Sequence, residues 1–247
     1  RIKAMWVMGT NPAVSLPRAD KIRECIAKLD TLIVSENVAV NDTVVAAGIR
    51  LPASAWSEKD GTVTNSERRI SRQRGFIAPA GEARPDWWIM QEVAQRLGYK
   101  DGFDYSGPAQ IFREHAALSG YKNSGERAFN IGALASLTDR EFDDLEPVQW
   151  PVTAEHPEGC ARLFDDGKYS TPSGQARFVP VHSAKLAEQV SPDWPLLLNT
   201  GRIRDQWHTM TRTGLTSRLS AHLPEPFIAI NPADATHHDI ENDVIVV

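Results

Sequence analysis

The opening strand–loop–helix–strand pattern constrains this chain more than any other part of it. Ile2 to Met8 is an apolar stretch that reads as a buried strand, broken by Gly9-Thr10-Asn11-Pro12. A helix is expected from about Ala19 to Leu29, where Ile22, Cys25, Ile26 and Leu29 recur at helical spacing, and Thr31 to Ser35 reads as the next strand. Two strands joined through a helix form a parallel crossover, not a hairpin, so the chain opens on a βαβ unit and its fold class is α/β. Asn41-Asp42-Thr43 is placed to cap a short helix through Ala47, and Ile49 to Pro52 resembles a brief third strand ending at the proline.

Beyond this unit the signals are less even. Glu58 to Asn65 reads as a polar loop and is followed by the basic run Glu67-Arg68-Arg69-Ile70-Ser71-Arg72-Gln73-Arg74. Asp86 to Leu97 is a helix by pattern, with Trp88, Ile89, Val93 and Leu97 on one stripe and Gly98 as its stop. A further helix is expected at Pro108 to Ser119, and Pro, Gly and Asp recur through Glu146–Gly174 as in a loop-rich connector with short strands. Near Trp194 the character changes: Leu196–Leu198 and Phe227–Ile230 look like buried strands, and Asn231 to Ala235 looks like a turn into a short helix. Both termini fall within apolar, strand-like runs instead of polar linkers, as expected of an internal piece of a longer polypeptide.

Composition narrows the function classes. A formal charge of −5 argues against nucleic acid, whose binders usually carry a basic surplus. No apolar run approaches the ~20 residues a membrane span needs, and no leader pattern marks secretion, so a cytoplasmic location is expected. Cys25 and Cys160 are far apart and form neither a CxxC pair nor a cluster-ligand spacing; they read as ordinary reduced thiols.

Five stretches carry candidate chemistry. The loop Gly9 to Pro12 lies where a parallel sheet meets ligands, outside the carboxyl end of a strand, and Asn11 there could bond a base or ribose. Spacing alone favours the plainer reading, a turn with proline starting a helix. Ser35-Glu36-Asn37 ends the neighbouring strand on the same edge. Asp86, before Trp87-Trp88, reads first as a helix N-cap, and alternatively as a carboxylate that accepts the N1–H and N2–H of a guanine. The arginines at 68, 69, 72 and 74 read as a solvated or internally paired stretch, or else as a funnel that concentrates a small anion. Densest is Thr200-Gly201-Arg202-Ile203-Arg204-Asp205-Gln206-Trp207-His208-Thr209, which combines a glycine for close approach with guanidinium, amide, hydroxyl and imidazole donors.

Together these stretches resemble a known family. Trp6 to Pro17 (Trp-Val-Met-Gly-Thr-Asn-Pro-Ala-Val-Ser-Leu-Pro), Leu51 to Arg69, Arg84-Pro-Asp-Trp-Trp88 and Asn199 to Thr209 resemble, in that order, the second half of the molybdopterin oxidoreductases related to dimethyl sulfoxide reductase. Within that family the likeness is strongest to the assimilatory nitrate reductases, on Gly-Thr-Asn-Pro-Ala and the run Ser66 to Arg74. The resemblance implies a fold of two parts. Residues 1–115 would be the second half of a discontinuous parallel-sheet nucleotide-binding domain, 116–192 a connector returning toward an iron–sulfur domain, and 193–247 the start of a C-terminal double-psi β-barrel.

It further implies that Thr10, Asn11, Ser35, Glu36, Lys59 and Asp86 contact one guanine dinucleotide of a bis-molybdopterin guanine dinucleotide, Asp86 through the guanine while also serving the helix start. Thr200, Gly201, Arg202, Ile203, Arg204, Asp205, Gln206, Trp207, His208 and Thr209 would grip pterin and pyrophosphate. The molybdenum ligand and the cysteines of a [4Fe-4S] cluster would lie in the remainder of the parent polypeptide, so this chain by itself would not turn over. The implied activity of the whole is reduction of nitrate to nitrite, with electrons from an NADH-linked reductase subunit or from ferredoxin or flavodoxin. The alternatives are a formate dehydrogenase catalytic subunit and a non-catalytic cofactor-binding module.

Overall fold

The computed structural model describes residues 2–246. It is a mixed α/β structure with one parallel and one antiparallel sheet, each of three strands. The expected βαβ unit is present and is extended by a second crossover. Strands β1 (Ala4–Met8), β2 (Thr31–Glu36) and β3 (Ile49–Pro52) pair in parallel in that order, with Val7 beside Val34 and Val34 beside Arg50. Helices α1 (Pro12–Ser15) and α2 (Ala19–Ala27) make the first crossover, and α3 (Asp42–Val45) the second. Val7, Leu32 and Val34 share a sheet face and close against Ala13, Ile26 and Val44 from the three helices. Burying each of the larger aliphatic side chains contributes about 1.5–3 kcal/mol, which is why so short a sheet needs all three helices on it. Asn41 is the N-cap of α3 as expected, its Oδ1 accepting from the amides of Thr43 and Val44 at 3.0 and 2.8 Å.

The segment expected to be a polar loop and a basic run is instead a hairpin. Strands β4 (Gly61–Thr64) and β5 (Arg69–Gln73) are antiparallel, and β6 (Val148–Gln149) adds to the far side of β5. Asn65 makes the turn, its side-chain oxygen accepting from the amides of Glu67 and Arg69 at 2.9 and 3.0 Å. Behind this sheet a second core forms from Ile70, Phe112, Ala116, Ile131, Leu134, Phe142 and Val152.

Helices α4 (Asp86–Arg96) and α5 (Pro108–Gly120) lie where the pattern put them, and α6 (Asp139–Asp143) is an addition. The buried stripe of α4 differs from expectation: Ile89 is buried, but Trp88 and Leu97 stay exposed and Gln91 is buried in their place. The cause is polar. Gln91 accepts from the Tyr105 amide at 2.8 Å and donates to the Tyr105 carbonyl at 3.3 Å, turning that face inward. Gly98 at φ +95° ends the helix in the left-handed conformation a C′ position favours.

After Gln149 the described residues contain no strand. Leu196–Leu198 and Phe227–Ile230, expected as buried strands, are irregular; Leu198 and Phe227 are 87% and 63% exposed. A strand needs a neighbour for its amides and carbonyls, and no described segment pairs with either run. Two short helices form there, α7 (Ser217–Ser220) and α8 (Pro232–His237), the latter capped by Asn231 as its sequence indicates. No helix among the described residues is long and apolar enough to cross a membrane.

Candidate functional site

The carboxyl ends of the parallel strands lie side by side, and four successive chain segments leave the sheet along that edge. The first is the turn after β1. Gly9, at φ +57°, donates its amide to the Ser35 carbonyl at 3.0 Å, and Thr10 stands exposed beyond it. The second is Ser35–Asn37 at the end of β2. Ser35 is fully buried and accepts from the indole of Trp6 at 2.8 Å; Glu36 is half-buried and accepts from the Asn37 amide at 2.8 Å.

The third segment follows β3. Ala53 forms a parallel bridge with Arg84, and the Ser54 amide donates to the Arg84 carbonyl at 2.9 Å. The Arg84 stretch therefore lies alongside the prolonged β3 and delivers Asp86, the fourth contributor, close to where Lys59 arrives. Lys59 follows the 3-10 turn Trp56–Glu58, which is tied down by Glu58: its carboxylate accepts from the amides of Ala55 at 2.8 Å and Ala80 at 3.2 Å. The Lys59 ammonium meets Asp86 Oδ2 at 2.5 Å, with each side chain about one-third exposed. Asp86 makes no side-chain cap; Pro85 holds the N-cap position and Asp86 is the first helical residue, so its carboxylate is turned to Lys59. A cleft of about 350 Å³ opens beside this edge, lined by Glu36, Asn37, Arg50, Ala53 and Glu58 among others.

Asn11 is not exposed on this edge. It is 7% accessible, and its carbonyl oxygen accepts from the Thr43 hydroxyl at 2.7 Å and the Thr43 amide at 3.2 Å. The loop Thr200–Thr209 is mostly exposed, with Ile203, Asp205 and Gln206 half-buried. Within it Arg204 Nε donates to Asp205 Oδ1 at 3.0 Å, and His222 Nδ1 lies 2.6 Å from Asp205 Oδ2. The Arg204 hydrogen bond and charge, with His222 in support, hold the Asp205 carboxyl below the ordinary carboxylate range. Trp207 and His208 pack edge to face at 4.5 Å, and Gln206 accepts from Thr213 at 2.7 Å. The 3-10 turn His208–Met210 lies against α1, and Arg212 donates to Asn37 Oδ1 at 3.4 Å. The structure thus brings the loop to the sheet edge, where Asn37, at the end of β2 as expected, receives Arg212, a residue the sequence did not single out.

The basic run proves to be internal architecture. Arg68 donates to the carbonyls of Trp150, Cys160 and Ala161, and Arg69 to Pro147 and Gln149. Arg72, 3% exposed, joins Asp60 at 2.6 Å to Asp143 at 3.0 Å and lies over the Phe142 ring at 4.2 Å. Arg74 donates to the Asp143 carbonyl. The internally paired reading is the one the geometry supports.

Residues 1–96 match the family described as molybdopterin oxidoreductase, and residues 196–247 match the molydopterin dinucleotide binding domain. The chain belongs to the molybdopterin oxidoreductases. It is similar to the nitrate reductase of Klebsiella oxytoca, with 50% identity over 98% of this chain and 28% of that protein. It is 35% identical to a formate dehydrogenase alpha subunit of Methanocaldococcus jannaschii, over 99% of this chain and 34% of the relative. Against the assimilatory nitrate reductase catalytic subunit of Bacillus subtilis the identity is 30%, over 99% and 33%. The chain therefore spans roughly a third or less of the length of these relatives. The matched regions are those that contain the sheet edge and the Thr200–Thr209 loop, which makes a molybdenum–pterin cofactor the ligand to consider there.

Proposed function

We propose that this chain is part of the cofactor seat of a nitrate reductase, an assimilatory enzyme that reduces nitrate to nitrite. The observation that carries the reading is the identity of 50% with a nitrate reductase over nearly the whole chain, against 35% with a formate dehydrogenase. Sheet-edge residues 1–115 are read as half of a discontinuous nucleotide-binding domain and residues 193–247 as the start of a double-psi barrel. The remainder of the polypeptide would supply the molybdenum ligand and a [4Fe-4S] cluster, with electrons arriving from an NADH-linked reductase, ferredoxin or flavodoxin in the cytoplasm.

The donor set at the edge suits a guanine dinucleotide. A guanine edge presents N–H groups that a carboxylate complements, and Asp86 offers one; a carboxylate has about four lone-pair sites, so Lys59 on one oxygen does not exhaust it. Glu36 retains one carboxylate oxygen beyond its bond to the Asn37 amide, in a cleft where a ribose hydroxyl could donate to it. Thr10 brings an exposed hydroxyl to the same edge. Lys59 orients Asp86 through their ion pair, and Arg202, Gln206, Trp207, His208 and Thr209 of the loop offer cationic and neutral donors for pyrophosphate and pterin. When bound, the cofactor supplies oxygen-atom transfer and the two-electron change, chemistry outside the range of side chains. The protein's part is to hold it, orient it and keep water from its nucleotide arm.

The test is oxidation of a reduced viologen by the full-length protein with nitrate, with formate-driven viologen reduction run alongside. Nitrate turnover without formate activity is expected. Formate activity alone would replace the substrate and leave the cofactor seat standing, and a protein that binds cofactor but shows neither would be a non-catalytic module.

A further inference from the structure

Thr43 lies on α3, has no surface accessibility, and belongs to none of the segments that leave the sheet edge. Its hydroxyl is nonetheless used twice toward the turn after β1: it donates to Asn11 Oδ1 at 2.7 Å and accepts from the Ala13 amide at 3.2 Å. The Thr43 amide adds a third bond to Asn11 Oδ1 at 3.2 Å, shared with Asn41 Oδ1 at 3.0 Å. A backbone N–H can only donate, so the atom of Asn11 that faces it is the carbonyl oxygen. The amide nitrogen of Asn11 is left facing Asp42 at 3.5 Å. Asn11 is thereby held at both ends, and with 7% accessibility its side chain is committed inward. What the turn displays is its neighbour, Thr10, backed by the left-handed Gly9.

We propose that Thr43 is a positioning residue for the cofactor seat: its buried hydroxyl fixes Asn11 and Ala13, and through them the Gly9–Pro12 turn that presents Thr10 to the ligand. In this arrangement Asn11 acts as the inner half of a staple and not as a ligand to base or ribose. The proposal rests on the reading of the sheet edge as the seat of the guanine dinucleotide. Valine in place of Thr43 keeps the branched shape and removes the hydroxyl, which leaves the Ala13 amide without its partner and Asn11 on a shared one. No ligand can touch a side chain with no accessible surface, so any effect on the cofactor must travel through the turn.

The experiment compares four variants of the full-length holoenzyme by molybdenum content, by GMP released on acid treatment, and by thermal melting. Thr43→Val is expected to release the cofactor faster by roughly 10–100-fold, the usual effect of losing a group that orients ligand-contacting atoms. Thr43→Ser, which keeps the hydroxyl, is expected to retain the cofactor as the parent does. Ser119→Ala is the matched control: Ser119 is also buried, donating to the Ala116 carbonyl and accepting from the Ile131 amide in the second core. It is expected to lower the melting temperature without loss of cofactor. Retention by Thr43→Val equal to that of Ser119→Ala overturns the proposal, as does cofactor loss in Thr43→Ser, which can be read even if the valine protein fails to accumulate. Asp86→Ala separates the two layers: if it loses cofactor while Thr43→Val does not, only the positioning role fails; if it too keeps full cofactor, the reading of the edge as the seat falls as well.

Discussion

The Lys59 ammonium stands 2.5 Å from Asp86 Oδ2 across 27 residues of sequence, joining the loop after β3 to the first turn of α4. With both side chains about one-third exposed, this pair contributes no more than about 1 kcal/mol to folding. Asp86→Ala should therefore cost little in the thermal melt of the full-length protein and much in its molybdenum and GMP content. Full occupancy in that variant would remove Asp86 from the seat. Lys59→Met should weaken retention less, since the carboxylate remains.

Arg72 is the opposite case. Its guanidinium is buried, links Asp60 to Asp143, and also donates to the carbonyls of Gly61 at 2.5 Å and Gln73 at 3.0 Å. Arg72→Met should destabilise by about 2–4 kcal/mol, because carbonyls and carboxylates lose a donor that serves all of them. Arg72→Lys should recover little of this, a point charge being unable to reproduce the planar fork. Urea unfolding followed by far-ultraviolet dichroism measures both.

Gly159 has φ +81°, and a Cβ there would overlap the Gln149 carbonyl oxygen, which already accepts from the Cys160 amide at 2.9 Å. Gly159→Ala should cost about 2–4 kcal/mol by adding left-handed strain to a backbone clash. Gly201→Ala, where a Cβ meets nothing within 4 Å, is the control and should be near neutral in the same denaturation assay.

Tyr105 donates to Glu114 at 2.5 Å, and that bond, then burial, then the charges of Glu114 and Asp104 push its hydroxyl up to about 12. The folded value lies above the unfolded one, so the contribution is fully present below pH ~10 and is lost as pH rises through ~12. In an alkaline titration by phenolate absorbance, one of the four tyrosines should ionise late. Tyr105→Phe should abolish the late step and Glu114→Gln should bring it down.

Produced alone, residues 1–247 should associate. Phe178, Leu198 and Ile245 are each at least 87% exposed, and apolar surface on that scale seeks cover. Dye binding and sedimentation should report exposed apolar area and self-association; a monomeric, cooperative melt without dye binding would count against it.

What could be read in advance follows the range of the interactions involved. Val7, Leu32 and Val34 announce their strands because burial on a parallel sheet leaves a local apolar run, and Asn41 announces a helix because a cap acts within three residues. The β4–β5 hairpin was hidden because Thr62-Val63-Thr64 sits among charges, although Asn65 marked its turn. Leu196–Leu198 carries a strand's composition, but pairing is a property of two segments and no described partner exists. At the site, the carboxylate of Asp86 was visible and its pairing with Lys59 was not: the Ala53–Arg84 bridge and the backbone hydrogen bonds beside it bring the Lys59 loop and the start of α4 together. Thr43 was legible only as part of the Asn41-Asp42-Thr43 helix start, with nothing to mark its reach to Asn11.

The contact between Arg212 and Asn37 is a single hydrogen bond of 3.4 Å, and the residues from 153 to 207 that lead toward it contain neither helix nor strand. One such bond is far too weak to recruit a free loop from solution. It does not have to. The chain is pinned by Arg68 as far as Ala161. A tether of the ~45 residues beyond keeps its far end within roughly 40 Å, an effective concentration on the order of millimolar, so the Thr200–Thr209 loop is always in the neighbourhood of the sheet edge. A ligand that touches both would then convert proximity into avidity, gripping with two modest surfaces more firmly than either could alone.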